Sequence, residues 1–337
     1  IQWTPLIETT RGGLPECLHF GAVAAVDAQG RLVAQAGDPH TRSFTRSTIK
    51  PFQALPFLLA RGHEHFGLRS EQIALLCASH NGEGMHVAQV ETILSKAGLD
   101  YKALGCGCHV PLRFTFTNTA PPPGLEFDAR HHNCSGKHSG FLAYCVQHGL
   151  STASYLEPTH PLQQAVRSRV AQALGMAEHD LGRGTDGCSA PNYAVPLSRL
   201  AYGYAQLASG AQDPELGEGF ALLFDAMTRH PELVSGTQRN DLAFIQTGRG
   251  DWVSKVGADG VQVVASRSRA QAFALKISDG NMTAAYAAAV EVMEQLGWLD
   301  AAQREALHRW RAQDIVSARG LPVGERRAVF QLAFNAA

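Results

Sequence analysis

Ser47 and Lys50 stand three residues apart in Thr45-Arg46-Ser47-Thr48-Ile49-Lys50-Pro51-Phe52, at the mouth of the apolar run from Phe52 to Leu59. In a helix that spacing puts both side chains on one face. A serine hydroxyl is a weak nucleophile at neutral pH, and a neighbouring neutral amine can take its proton. Lysine ordinarily titrates at about 10.4, so such an amine needs burial or a second cation to lower it. By itself the pattern also fits a helix N-cap followed by a solvated lysine.

Two companions sharpen it. Ser79-His80-Asn81 reads Ser-x-Asn, and Lys255-Val256-Gly257 reads Lys-x-Gly. The order Ser-x-x-Lys, Ser-x-Asn, Lys-x-Gly resembles that of serine penicillin-recognising enzymes. A third chemical group lies in His131-His132-Asn133-Cys134-Ser135-Gly136-Lys137-His138-Ser139-Gly140, ahead of an expected helix from Phe141 to Gln147. Its Gly-Lys pair lacks the first glycine of a phosphate loop, because His131 stands five residues before Gly136. Cys, His and Lys crowded at a helix start suit a metal or an anionic substrate group. The plainer alternative is a capped helix with a buried cysteine. The stretch from Gly184 to Asn192 is again polar and glycine-rich and carries Cys188, which reads as an Asp-Gly turn or as a site loop. Cys106, Cys108 and His109 are too tightly spaced for common zinc pairs and read as a structural loop.

The elements that must hold these groups fall into three parts. Leu18–Val26 and Leu32–Ala36 flank Asp27-Ala28-Gln29-Gly30 as a hairpin, with Pro5–Thr9 as a further strand. Helices are expected from the Ser47 region to about Ala60, where Pro56 should kink the chain, then at Ser70–Cys77 and Gly84–Ala97. Residues 156–178 and 193–230 read as helical. Ala243–Gln246, Trp252–Val256, Val261–Val264 and Ala272–Ile277 read as a strand meander with Asp259-Gly260 as a tight turn. Helices at Met282–Leu296 and Ala301–Arg311 follow. The plan is α/β: strands at both ends pair into one sheet, and the middle forms a helical lobe. We expect a single catalytic unit over 1–337, with a sheet lobe of about 1–50 and 240–337 and a helical lobe of about 51–239, and a site at the seam.

The 337 residues are 45% hydrophobic and 18% charged, enough for a large core, and the net charge is -1 without runs of one sign. That balance argues against nucleic-acid or anionic-membrane surfaces and for a small polar ligand. Apolar runs are too short to span a bilayer. Ile1-Gln2-Trp3-Thr4-Pro5 has neither a basic start nor an apolar signal core, so a cytoplasmic setting is expected. Seven scattered cysteines point to reduced thiols or metal ligands rather than a disulfide framework.

Taken together, Pro5–Gly13, Thr45–Gln53, Cys77–His80, Asn133–His138, Thr185–Cys188 and Lys255–Gly260 resemble the rhizobial-type L-asparaginases, the asparaginase II or third structural class. The resemblance spans nearly the whole chain. It implies a fold similar to serine β-lactamases and glutaminases, and two Ser-Lys pairs, Ser47 with Lys50 and Ser79 with Lys255. It implies zinc on Cys134, Lys137 and Cys188, with Arg46, His138 and Asp186 in the same substrate pocket. L-Asparagine as substrate and a homodimer follow from the same likeness. Two other readings compete with it. A penicillin-recognising serine hydrolase leaves the Cys-Lys-Cys set unexplained. A non-enzymatic zinc-dependent binding protein would need only that set and would leave both serines free to change.

Overall fold

Alternating side chains that enter two separate cores organise the molecule. The computed structural model describes residues 2–335. Its strands are β1 (Thr4–Arg11), β2 (Leu14–Asp27), β3 (Leu32–Ala36), β4 (Arg42–Phe44), β5 (Gly182–Thr185), β6 (Pro191–Pro196), β7 (Trp252–Gly257), β8 (Val261–Ser266), β9 (Gln271–Ile277), β10 (Gln313–Val316), β11 (Pro322–Ala328) and β12 (Ala333–Phe334). A nine-stranded sheet runs β10-β11-β1-β2-β9-β8-β7, with β3 on β2 and β12 on β3. Every pairing in it is antiparallel, and Gly21 to Asp27 of β2 face Ile277 to Gln271 of β9. The strands β4-β6-β5 form a small second sheet.

The period of two sends Val23, Ala25, Phe273 and Leu275 to one face, under the helix Met282–Gln295. It sends Ala22, Ala24, Val26, Val253 and Val263 to the other, against the helix Leu197–Ser209 and the helical lobe. Both faces are therefore dry, and β7 and β8 are buried along their whole lengths. Each valine, leucine or phenylalanine so buried contributes about 1.5–3 kcal/mol relative to exposure. Because β7 is covered on both sides, a lysine on it has no route to water.

The fold is α/β, with the strands of the large sheet drawn from both ends of the chain and helices between them. Several element expectations need correction. Ala243–Gln246 is not a strand but lies in the helix Asn240–Thr247, with Phe244 and Ile245 buried; an apolar run this short carries too little periodicity to separate the two. Residues 193–230 are not one helical region: β6 comes first, then helices Leu197–Ser209 and Gly217–Arg229. The helix expected from Phe141 begins at Ser135, so Lys137 lies in its first turn. Of residues 156–178, Pro161–Ala173 is α-helical. β2 starts at Leu14, and β10 to β12 carried no recognised strand signal. Among the described residues no helix is long and apolar enough to cross a membrane.

Candidate active site

Ser79, Lys50 and Lys255 meet although they come from a loop, a helix start and a strand. Lys50 opens the helix Lys50–Leu59. Lys255 shares the parity of Val253 on β7, so its side chain leaves the sheet toward the helical lobe. Ser79 follows the helix Ser70–Leu76 in a loop held by backbone bonds, Ser79 N–H to Val234 O at 3.0 Å and His80 N–H to Asn133 O at 3.1 Å. Lys50 Nζ and Lys255 Nζ each lie 2.9 Å from Ser79 Oγ. Lys50 Nζ also donates to Ala78 O at 2.5 Å, and Lys255 Nζ to Val256 O at 2.9 Å.

The expected partnering is thus rearranged. Lys50 bonds Ser79 rather than Ser47, and Ser79 joins both lysines into one bridge. Ser47 Oγ makes no hydrogen bond among the described residues and keeps 8% of its residue surface exposed. A hydroxyl has two acceptor lone pairs. Ser79 Oγ lies within hydrogen-bond distance of both amines and can donate to one while accepting from the other; Ser47 Oγ is free.

Lys255 is wholly buried, and its pKa is pushed down to about 7. Burial is the main cause; Lys50 and Arg239 add repulsion, and Asp241 opposes them. The buried Asp241 carboxylate lies 3.9 Å from Lys255 Nζ. It is fixed by Val256 N–H at 2.9 Å, Ser254 Oγ–H at 2.7 Å and Gln262 Nε2–H at 3.2 Å. Arg239, also buried, donates to Ser79 O at 3.1 Å and Asn81 Oδ1 at 2.9 Å. Asn81 of the Ser-x-Asn motif therefore braces the loop, and its Nδ2 donates to Thr237 O and Glu83 Oε1, both at 2.9 Å.

Ser47 is presented by a strained neighbour. Arg46 has φ 49°, in the left-handed region that non-glycine residues rarely adopt. Asn192 holds it there, accepting from Arg46 N–H and donating to Arg46 O, each at 3.1 Å. The guanidinium reaches Asp186 Oδ1 at 2.9 Å and pairs with Asp259. Burial opposes charge on Asp186, but Lys137, the Gly187 N–H and Arg46 outweigh it and keep the carboxyl below its usual range. Gly257 of the Lys-x-Gly motif is needed for contact, since a Cβ there would lie 2.9 Å from Thr45 O.

The thiol group assembles beside this bridge. Gly136 and Gly140 let the helix Ser135–Gln147 press onto the helix Ser70–Leu76, because a Cβ at 136 would meet Leu75 O at 2.3 Å and one at 140 Leu76 Cδ2 at 2.6 Å. Lys137 Nζ then reaches Cys188 Sγ at 3.1 Å. Hydrogen bonding with Cys188 comes first among the causes that hold Cys134 far below the usual thiol pKa; burial opposes it, and Lys50 and Lys137 reinforce it. Burial would neutralise Lys137, but Cys188 and Cys134 outweigh it and raise its pKa. Cys106 is buried nearby, its thiol pushed up to about 12 by burial. His138 is buried behind Cys188, with Nδ1 2.6 Å from Tyr155 OH and Nε2 free of hydrogen bonds.

Among the described residues no three His, Cys, Asp or Glu side chains are grouped to hold a metal ion. The set Cys134, Lys137, Cys188 has two sulfurs and an amine. In a tetrahedral zinc site with bonds of about 2.0 and 2.3 Å, nitrogen and sulfur sit about 3.5 Å apart. The 3.1 Å between Lys137 and Cys188 is shorter than that edge, and the amine can ligate only after the ammonium gives up its proton. Spacing alone did not reveal Asn192, Arg239, Asp241 or Tyr155. Asn192 lies in the Gly184–Asn192 stretch already suspected as a site loop, whereas Asp241 and Arg239 gave no local signal.

The family model described as L-asparaginase II matches residues 7–328. No curated protein matches. Among solved structures the chain is similar to a β-lactamase from Mycobacterium bovis at 16% identity, covering 82% of this chain and 94% of that one with a TM-score of 0.43. It is also similar to a protein named Mglu at 16% identity, covering 82% of this chain and 67% of that one with a TM-score of 0.37.

Proposed function

This chain belongs to the L-asparaginase II family, the asparaginase-type amidohydrolases, and on that premise we propose that it hydrolyses L-asparagine to L-aspartate and ammonia by serine-lysine covalent catalysis. The observation that carries the reading is the Lys50–Ser79–Lys255 bridge beside a Ser47 hydroxyl with free lone pairs. Ser47 Oγ attacks the side-chain amide carbon, and its proton passes into the Lys50–Ser79–Lys255 bridge, whose Lys255 amine has the lowered pKa. Ser79 hands protons between the two lysines. A lysine with a pKa of about 7 holds or releases a proton at neutral pH, which is what a relay group needs. The departing nitrogen leaves as ammonia after taking a proton from the bridge. Water then attacks the aspartyl ester, giving up its proton to the same amines and restoring Ser47.

The ion pair of Arg46 and Asp186 offers opposite charges for the α-carboxylate and α-ammonium of the substrate. His138, the third residue expected in the pocket, is fully buried and held at Nδ1 by Tyr155 OH, so it can shape the pocket wall but not touch the substrate. Cys134, Lys137 and Cys188 would hold zinc, which when bound supplies a Lewis-acid centre that polarises an oxygen ligand.

The test is an acid-quenched turnover with L-asparagine followed by peptide mass spectrometry. An aspartyl ester on the peptide that carries Ser47 is expected, together with loss of ammonia release in Ser47→Ala by about a thousandfold or more. Because the hydroxyl makes no hydrogen bond, stability should change by less than about 0.5 kcal/mol. An adduct on Ser79, or near wild-type turnover in Ser47→Ala, would exclude Ser47 as the nucleophile.

A further inference from the structure

A cleft of about 320 Å³ is formed where the end of the helix Ala301–Arg311, the strands β10 and β11 and the first turns of the helix Met282–Gln295 come together. Its walls include Phe116, Tyr286, Arg309, Trp310 and Arg326, and no acidic side chain lines it. Phe116 stacks on the Arg239 guanidinium at 4.1 Å, and Arg239 donates to Ser79 O. The cleft therefore backs onto the support of the Ser79 loop and contains none of Ser47, Lys50, Ser79 or Lys255. Its volume lies at the lower end of the roughly 300–1,000 Å³ of ligand pockets, so its occupant is small.

The side chains define the chemistry. Tyr286 is only 6% exposed, and its hydroxyl makes no hydrogen bond among the described residues. The indole N–H of Trp310 is sealed from solvent, whereas the Tyr286 hydroxyl is not and opens on the cleft its side chain lines. A nearly buried donor without a partner leaves a hydrogen bond to be made. Arg326 is half-buried, and burial works against its charge. Its Nη1 donates to the neutral Gln313 Oε1 at 3.2 Å, and no carboxylate pairs with it among the described residues. Arg309 likewise has no carboxylate partner there and lays its guanidinium over the Trp310 ring, 4.7 Å from the centroid. Trp310 meets Tyr286 edge-on at 5.5 Å, which makes a packed aromatic wall. Two uncompensated cations and a free hydroxyl beside that wall call for an anion carried on a flat apolar body.

We propose that this cleft binds a small aromatic carboxylate, with Arg326 and the Tyr286 hydroxyl donating to the carboxylate, Arg309 supplying a second cation at the mouth, and the ring resting on Phe116 and Trp310. The site is separate from the serine-lysine centre and goes beyond the proposed turnover.

Isothermal titration calorimetry of the full chain with phenylacetate tests it. One equivalent should bind per chain. Phenethyl alcohol keeps the ring without the charge and acetate keeps the charge without the ring, and each should bind weaker by about tenfold or more. Arg326→Gln should weaken phenylacetate by about tenfold or more, and Tyr286→Phe by about threefold or more. Tyr286→Phe removes a hydroxyl that has no partner, so the protein folds as before and the test survives if Arg326→Gln does not fold. No saturable binding to wild type, or wild-type affinity in either folded variant, would overturn the site. Equal binding of phenethyl alcohol or of acetate would overturn its chemistry. Heat of binding is read without turnover, so failure of the amidase reading leaves this test intact.

Discussion

Replacing Asp241 by asparagine isolates one electrostatic contact while conserving shape. Asp241 Oδ2 lies 3.9 Å from Lys255 Nζ, and both side chains are fully buried. The carboxylate favours the charged lysine and so props up a pKa that burial has pushed down to about 7. At 3.9 Å, the attraction is about 4 kcal/mol for an effective dielectric of 20 and about 1 kcal/mol for bulk water. At about 1.4 kcal/mol per pKa unit, that is a shift of about 1–3 units. In Asp241→Asn the pKa of Lys255 should fall by that amount. If neutral Lys255 is the active form, activity in the wild type rises with pH through about 7. The variant should then carry its acid limb to lower pH and stay active where the wild type has faded. The amide accepts at one oxygen only, so either Val256 N–H or Ser254 Oγ–H loses its partner, at a cost of about 1–3 kcal/mol in stability. The assay is ammonia release from L-asparagine as kcat/KM against pH, with both proteins checked for folding at each pH. An acid limb that stays in place or moves upward would refute the link between Asp241, Lys255 and turnover.

Other perturbations test separate parts of the site. Ser79→Ala removes the oxygen shared by both lysines and should lower kcat by about 10²–10⁴-fold with little change in KM; an unchanged kcat in steady-state kinetics would rule out the relay. Cys188→Ala removes the sulfur nearest Lys137 and should lower zinc per chain by elemental analysis, whereas unchanged zinc content would refute that ligand set. Gly257→Ala puts a Cβ 2.9 Å from Thr45 O and 3.3 Å from Arg46 Cβ. It should cost about 1–3 kcal/mol by overpacking and displace Ser47, so that kcat falls in protein that still unfolds cooperatively; full activity would show that the loop has room to spare.

The types of chemistry were legible in the residues, together with most of the elements that carry them. The spacing of Ser47 and Lys50 marked a helix start, and their environment followed from the apolar run after Lys50, because periodic burial is a local property of the chain. The Lys-x-Gly step falls on the expected strand Trp252–Val256, and Lys255 does lie on a strand. The glycine-rich stretch around Asp186 was legible from its composition.

Which group meets which is a property of the folded chain. Spacing suggested Lys50 for Ser47, yet its amine bonds Ala78 O and Ser79 Oγ, acceptors 28 and 29 residues further along the chain. A side chain selects the acceptor nearest in space, and local periodicity carries no record of which loop will lie there. Asp241 shows the same limit. Its short apolar neighbourhood read as a strand, but it sits in the helix Asn240–Thr247 and aims its carboxylate at Lys255. Helix and strand are degenerate over four residues, and the packing of Phe244 and Ile245 into the interior broke the tie. The strain at Arg46 was equally hidden, since a positive φ there persists only because Asn192, 146 residues away, holds the backbone on both sides.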